Sequence, residues 1–238
     1  MACEFFGRGF AVTVLLLNLH RKKQTNNNEV MKVLLVNGGP HKQGCTFTAL
    51  SEIAGTLAVE GIDTEIVWPG NAPIAGCIAC GACSGTGRCF RDDAVNRFIE
   101  QAADADGFVF GSPVHYAAAS GAATSFMDRA FFAGNRAGVF AGKPAAAVVS
   151  CRRGGNTAAF DQLNKYFTIS SMPVVSSQYW NMVHGNTPDE VRQDLEGLQT
   201  MRTLARNMAW LLRCIEAGRK DGIVFPQHET KISTNFIR

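Results

Sequence analysis

The chain has no apolar run long enough to cross a bilayer. Its longest mostly apolar stretch, Phe10 to Leu17, covers eight residues, against the roughly 20 that a membrane-spanning helix needs. Basic residues follow that stretch instead of preceding it, and no small-residue cleavage site comes after it, so it does not read as a secretory leader. Charge is also sparse. The net +3 sits at the ends, with four Lys/Arg against two acids in residues 1–30 and the same balance in 219–238. The body between holds 15 basic and 16 acidic residues, which leaves no phosphate-tracking face and argues against a nucleic-acid partner. There is no GxGxxG dinucleotide fingerprint and no Gly-Lys-Ser/Thr loop for a nucleoside triphosphate. Internal repeats are missing as well, and only Asn26-Asn27-Asn28 hints at low complexity.

What the chain does hold is clustered sulfur. Four of its eight cysteines fall within thirteen residues, as Cys77-Ile-Ala-Cys80-Gly-Ala-Cys83-Ser-Gly-Thr-Gly-Arg-Cys89. The two-residue gaps let neighbouring thiolates converge, while Gly76, Gly81, Gly85 and Gly87 permit a tight backbone. No histidine lies in the segment, so the donor set is all sulfur, which suits an iron–sulfur cluster or zinc. Structural zinc usually takes two separated pairs, and the compact spacing fits a cluster better. A loop of reduced or disulfide-paired thiols is the remaining alternative. Such a knot argues for a reducing, cytoplasmic setting.

With 46% hydrophobic residues, the chain can bury one substantial core. Residues 1–30 read as an extension outside the fold, with a membrane-associating tail as the alternative, and Met31 as the natural start. Domain 31–218 follows, with a cysteine-rich loop at 76–90 and a tail at 219–238. Strands are expected at Lys32–Asn37, Ile62–Trp68, Gly107–Gly111, Pro144–Ser150 and Pro173–Ser176. Helices are expected near 46–60, 93–103, 118–132 and 157–166. Thr187, Pro188 and Glu190 form a capping box for a last helix, whose apolar stripe from Val191 to Ile215 ends at Gly218. Strands alternating with helices imply an α/β fold, a doubly wound parallel sheet with helices on both faces.

Ligands in such a sheet bind beyond the carboxyl ends of the strands, where strand order reverses. Three loops at that edge have unusual composition. Gly38-Gly39-Pro40-His41-Lys42-Gln43-Gly44-Cys45-Thr46 offers backbone amides, a helix start, a hydroxyl and a cation, parts that suit a terminal phosphate, or it is a plain turn. Ser112, Pro113, Val114, His115 and Tyr116 give a rigid backbone with a ring for stacking, or an ordinary surface loop. Arg152, Arg153, Gly154, Gly155 and Asn156 bring two guanidinium groups onto flexible backbone. Tyr179, Trp180, Asn181 and His184 are candidates for a lid, or for core and dimer contacts.

These residues carry a resemblance. The first loop, the Cys-x2-Cys-x2-Cys-x5-Cys motif, the stretch Ala105-Asp-Gly-Phe-Val-Phe-Gly-Ser-Pro-Val-His-Tyr116 and Phe126-Met-Asp-Arg129 are similar to the NADPH-dependent FMN reductase and iron–sulfur flavoprotein superfamily, from about Met31 to Thr157. The resemblance implies a flavodoxin-like fold with a five-stranded sheet in the order 2-1-3-4-5. It implies FMN, its phosphate on Pro40, His41, Lys42, Gly44, Cys45 and Thr46. Its ring would lie within Ser112, Pro113, Val114, His115 and Tyr116, and its pyrimidine edge would face Arg152, Arg153, Gly154, Gly155 and Asn156. It implies a 4Fe-4S cluster on Cys77, Cys80, Cys83 and Cys89. The first loop departs from the family's more usual Gly-Ser-Pro-Arg, losing a hydroxyl and a permanent charge.

The implied activity is an FMN-dependent oxidoreductase passing electrons from NAD(P)H to flavin, quinone or a similar acceptor, with no separate general acid or base. Arg152 and Arg153 are expected to stabilise the anionic reduced flavin. A non-enzymatic electron carrier between protein partners is the rival reading, and a flavin-free thiol or zinc domain a third. Partners are expected to be a small-molecule or protein electron acceptor and a second copy of the chain in a homo-oligomer, with no membrane.

Overall fold

Alternation in three strands decides the architecture. Lys32–Asn37 (β1) sends Leu34 and Val36 to one face and Val33 and Leu35 to the other, and all four are buried. Gly107–His115 (β3) and Ala145–Cys151 (β5) do the same, so each strand needs a helical layer on both sides. The computed structural model describes residues 30–230, 232 and 234. The expected extension 1–30 lies, apart from Val30, outside the described residues.

The remaining elements supply those layers. Cys45–Val59 (α1) and the long Leu195–Lys220 (α6) cover one face with Leu50, Ile53, Met201, Leu204 and Met208. Ala94–Ala103 (α2), Gly121–Ala137 (α3) and Asn156–Ile169 (α4) cover the other. Asp63–Val67 (β2) and Met182–His184 (β6) are the outer parallel strands, Ala118–Ala119 (β4) is a short antiparallel return, and Pro188–Gln193 (α5) precedes α6. The sheet order is β2-β1-β3-β5-β6, with β4 paired to β3. Without the short β4, this is the expected 2-1-3-4-5 flavodoxin-like order. No helix among the described residues is long and apolar enough to cross a membrane.

The second face is aromatic. Phe98 touches the rings of Phe108, Phe110, Phe126 and Phe140 at centroid distances of 5.3 to 6.4 Å. β5 makes room for them: Phe108 and Phe110 pair with Ala145 and Ala147, small residues beside large ones. Gly134 completes the fit, since a Cβ there would lie 2.4 Å from the Phe140 ring.

Five expectations are corrected. The fifth strand is not Pro173–Ser176, which makes a single bridge from Val174 to Ala145. Asn181 then bonds β5 with its side-chain amide (to the Ala147 carbonyl, 3.1 Å) and its carbonyl (from the Val149 amide, 3.0 Å), and the parallel strand forms only at Met182–His184. The last helix is two helices. Asp194 leaves helical geometry and caps α6 by accepting the Gly197 amide at 2.9 Å, which leaves Leu195 exposed. Only half of the capping box ahead of α5 forms: the Thr187 hydroxyl accepts the Glu190 amide at 3.2 Å, but the Glu190 carboxylate accepts the Asn186 amide in place of the Thr187 amide. The third strand does not stop at Gly111; it runs through Pro113 to His115, turns, and pairs with β4 before α3 starts at Gly121. The tail likewise starts later than 219, because α6 continues to Lys220, and Phe225 then lies against Gly142.

Because Phe98 is fully buried at the centre of the ring cluster, Phe98→Ala should cost about 3–5 kcal/mol of stability in chemical denaturation, with the slope of the transition unchanged.

Candidate functional site

At the carboxyl edge of the sheet, β1 lies between β2 and β3, so the chain leaves β1 on one side and β3 on the other. The β1–α1 loop is shaped by a residue that the sequence reading passed over. Buried Asn37 accepts the Gly39 amide at 3.0 Å and donates to the carbonyls of His41 and Lys42, each at 3.2 Å. An Asn followed by two glycines is a signal for such a side-chain-closed turn. Trp68 fixes the far side by donating its indole N–H to the Gly39 carbonyl at 3.0 Å. No side chain caps α1 at Gly44, so its first amides face the loop, the arrangement that attracts an anion.

The three expected loops meet here. Gly38 donates its amide to Gly111 at 2.8 Å, an approach that leaves no room for a Cβ, which would sit 2.6 Å from Ala123. The Thr46 and Ser150 hydroxyls share a hydrogen bond of 2.9 Å, tying the start of α1 to the end of β5. Gly155, at φ +88°, abuts Val114, so the β5–α4 loop leans on the β3–β4 turn.

Within this cluster the side chains differ in availability. Pro40, His41, Lys42, His115, Tyr116, Arg152, Arg153 and Gly154 are exposed, Gly44, Cys45, Pro113, Val114 and Asn156 are half-buried, and Gly155 is exposed at the loop tip. Thr46 is buried. Ser112 is buried too, and its hydroxyl closes the hairpin by accepting the Ser120 amide at 3.0 Å. Tyr116 holds φ +66° at the tip of the turn, a conformation costing an ordinary residue about 1–3 kcal/mol. Asn156 reaches His184 Nε2 at 3.2 Å, and Asp194 accepts the His184 backbone amide at 2.6 Å. Asn181 is in the core, while Tyr179 and Trp180 are exposed with their rings 5.0 Å apart.

Beside the glycine loop lies a cavity walled by Asn37 to Pro40, by the Pro69–Ala72 turn and by Ala122, Ala123, Phe126 and Met127 of α3. A second, smaller cavity is lined by all four clustered cysteines together with Arg129, Phe132 and Ala133 of the same helix. Cys83 is buried, Cys89 half-buried, and Cys77 and Cys80 exposed; none is in a disulfide. Burial pushes the Cys83 thiol up from its ordinary value, partly offset by its own backbone hydrogen bond and by Arg136. Ala79, between two of the cysteines, has φ +54°, and its amide points at Cys77 Sγ at 3.5 Å. Among the described residues no three His, Cys, Asp or Glu side chains converge on a point where one metal ion would sit.

Arg129 is the second residue missed as a site group, although its motif was noticed. Its side chain is buried, and its guanidinium pairs with Asp93 at 2.6 Å while also donating to Cys89 Sγ. Burial alone would raise the Asp93 carboxyl, but the hydrogen bonds from Arg129 and the Val95 amide outweigh it and hold the group below its ordinary 3.8. A depressed carboxylate stabilises the fold above its unfolded value and loses that effect as pH falls through the folded value. Asp93→Asn, which keeps a capping side chain for α2, should therefore be less stable than wild type by roughly 1–2 kcal/mol at neutral pH, a modest loss because Asp93 stays 40% exposed. Thermal melts from pH 6 down to 3 should show that gap narrowing as wild type loses its advantage.

Comparison with known proteins agrees with this geometry. Residues 31–187 match the model of the family described as NADPH-dependent FMN reductase. An iron-sulfur flavoprotein of Methanocaldococcus jannaschii is 30% identical over 197 residues, covering 78% of this chain and 100% of the relative. Another, from Methanosarcina thermophila, is 27% identical over 194 residues, covering 79% and 99%. Among solved structures, an archaeal flavodoxin superposes with a TM-score of 0.52 at 16% identity over 77% of this chain and 99% of that one, which speaks for the fold. With its glycine loop, its sheet order and its matched residues in agreement, the chain belongs to the NADPH-dependent FMN reductase family.

Proposed function

We propose that this flavin-binding oxidoreductase passes electrons between FMN at the carboxyl edge of the sheet and a 4Fe-4S cluster on Cys77, Cys80, Cys83 and Cys89, with NAD(P)H as donor and a quinone, free flavin or protein as acceptor. One observation carries the reading. The glycine-loop cavity and the four-cysteine cavity are lined by successive stretches of a single helix, Phe126 and Met127 for the first and Arg129, Phe132 and Ala133 for the second. From Met127 to Phe132 is five residues, about 7.5 Å along α3. Two sites so near one another suit electron exchange.

The donor set fits a cluster. A mononuclear ion needs its ligands to meet at a point, whereas a cluster is held through a different iron at each thiolate and needs them to ring a volume. All four cysteines line one cavity, with an amide aimed at the Cys77 sulfur and a guanidinium at the Cys89 sulfur. FMN supplies the coupling when bound, since it accepts a hydride as a pair of electrons and releases them one at a time. The chain's own part is to bind and orient. Asn37 keeps the loop shut around the uncapped start of α1, where a phosphate dianion gains the helix amides and the Lys42 charge. Arg152 and Arg153 stand exposed on the neighbouring loop, ready to face the electron-rich edge of the ring. Tyr116, exposed on the β3–β4 turn and not among the residues that wall the cavity, would offer its ring to the flavin from outside.

Anaerobically purified full-length protein should carry FMN together with iron and acid-labile sulfide. Asn37→Ala should weaken FMN binding about tenfold in fluorescence titration, because the loop loses three hydrogen bonds. Cys80→Ala should remove the broad cluster absorbance and leave FMN bound. Loss of both together would contradict separate sites. Steady-state oxidation of NAD(P)H with quinone or free flavin separates a reductase from a carrier, which would show no turnover.

A further inference from the structure

We propose that Arg129 is the positioning residue of the four-cysteine site, closing the loop that carries the thiolates and raising the reduction potential of the cluster through its hydrogen bonds to Cys89. This rests on the cluster reading above. Arg129 is 2% exposed in the middle of α3, and taking a guanidinium out of water costs several kcal/mol unless its donors are met. All of its edges are in use. Nε and Nη2 donate to Cys89 Sγ at 3.3 and 3.2 Å, Nη1 and Nη2 to the Asp93 carboxylate at 2.6 and 3.0 Å, Nη2 to the Arg91 carbonyl at 3.1 Å, and Nη1 to the Ala75 carbonyl at 3.4 Å.

Those partners lie on both sides of the cysteine segment. Ala75 precedes Cys77, whereas Arg91 and Asp93 follow Cys89, so one side chain holds the two ends of the loop together. Cys89 is the cysteine separated from the others by the longest gap, and its amide, carbonyl and sulfur are all hydrogen-bonded. Asn96, itself buried, accepts its amide and donates to its carbonyl, both at 2.9 Å, while Arg129 takes its sulfur. Packing alone would be served by Asp93 and the carbonyls. The fork of Nε and Nη2 on one sulfur is the edge that a guanidinium ordinarily presents to an anion, and a ligating thiolate is one. Hydrogen bonds to cluster sulfurs, and positive charge near them, favour the reduced cluster because it carries one more electron. Asp93 works the other way, shielding part of that charge.

The sign of the effect distinguishes this role from a structural one. Redox titration followed by electron paramagnetic resonance, on anaerobically prepared full-length chain, should give a lower potential for Arg129→Gln, with the reduced-to-oxidised ratio at a fixed potential falling at least tenfold, 59 mV for one electron. Arg129→Lys should recover part of the shift, keeping charge but not the fork. Asp93→Asn should move the potential upward, because the Arg129 charge is then less shielded. Iron, sulfide and FMN content with circular dichroism establish that each variant is loaded and folded. An intact cluster whose potential is unchanged in Arg129→Gln overturns the proposal. If that variant fails to fold, Asp93→Asn decides, and an unchanged or lowered potential there overturns it. Wild-type protein that holds FMN but neither iron nor sulfide overturns the cluster reading itself, and the role of Arg129 with it.

Discussion

The contact on which the rest of the site depends is the approach of two backbones, the Gly38 amide to the Gly111 carbonyl at 2.8 Å. It draws the end of β1 against β3 at the point where the strand order reverses. A side chain at Gly38 would prevent it, since its Cβ would meet Ala123 at 2.6 Å and the Gly111 carbonyl at 2.8 Å, while a Cβ on Gly111 would press on Thr46 Cγ2 of α1 at 2.7 Å. From that closure follow the position of the glycine loop over the start of α1 and the placing of α3 behind it. The chirality of parallel crossovers and the burial of both sheet faces do the remaining ordering.

α3 is consequently shared by the two cavities. Its first turns, small residues at Ala122 and Ala123, let the glycine loop come close; its middle lines the first cavity with Phe126 and Met127, and Arg129 then reaches into the cysteine loop. The same helix packs Phe126 and Phe131 into the aromatic face of the core. The Asp93–Arg129 pair sits where these roles join, one partner capping α2 and the other buried in α3. A rigid aromatic core beside an exposed cysteine loop is a sensible division, since the loop holds Ala79 in a left-handed conformation that costs an ordinary residue energy.

Much of this was legible in the residues. Periodicity located β1, α1, α2 and β5 to within a residue or two, because each has an unambiguous apolar face and a clear stop. The motifs located the glycine loop, the cysteines and the two flanking loops, since glycine and cysteine restrict what a segment can do. The misses share a cause. Pro113 reads as a stop, yet it sits at the last rung of the β3–β5 pairing, opposite Ser150, where a missing N–H is tolerated. Pro173–Ser176 reads as a strand, but its place beside β5 is taken partly by the Asn181 amide, a long-range bond that local pattern does not reveal. Asp194 sits within an apolar stripe, and only the Gly197 and His184 amides it accepts show why the helix breaks there.

Asn37 and Arg129 were hidden for a different reason. Both are polar residues spending their hydrogen bonds inside the protein, on partners two to 54 residues away in sequence. Sequence patterns register a polar residue in an apolar neighbourhood as an irregularity and say nothing about what satisfies it. The cost of leaving such a group unpaired in the interior makes its partners informative once they are seen. Asn37 is satisfied by the backbone of its own loop, which marks it as the residue that shapes that loop. Arg129 is satisfied partly by a sulfur, a poor acceptor when neutral and a good one when it is a ligand. That difference in acceptors is the reason to read the first as architecture and the second as part of the proposed cluster site.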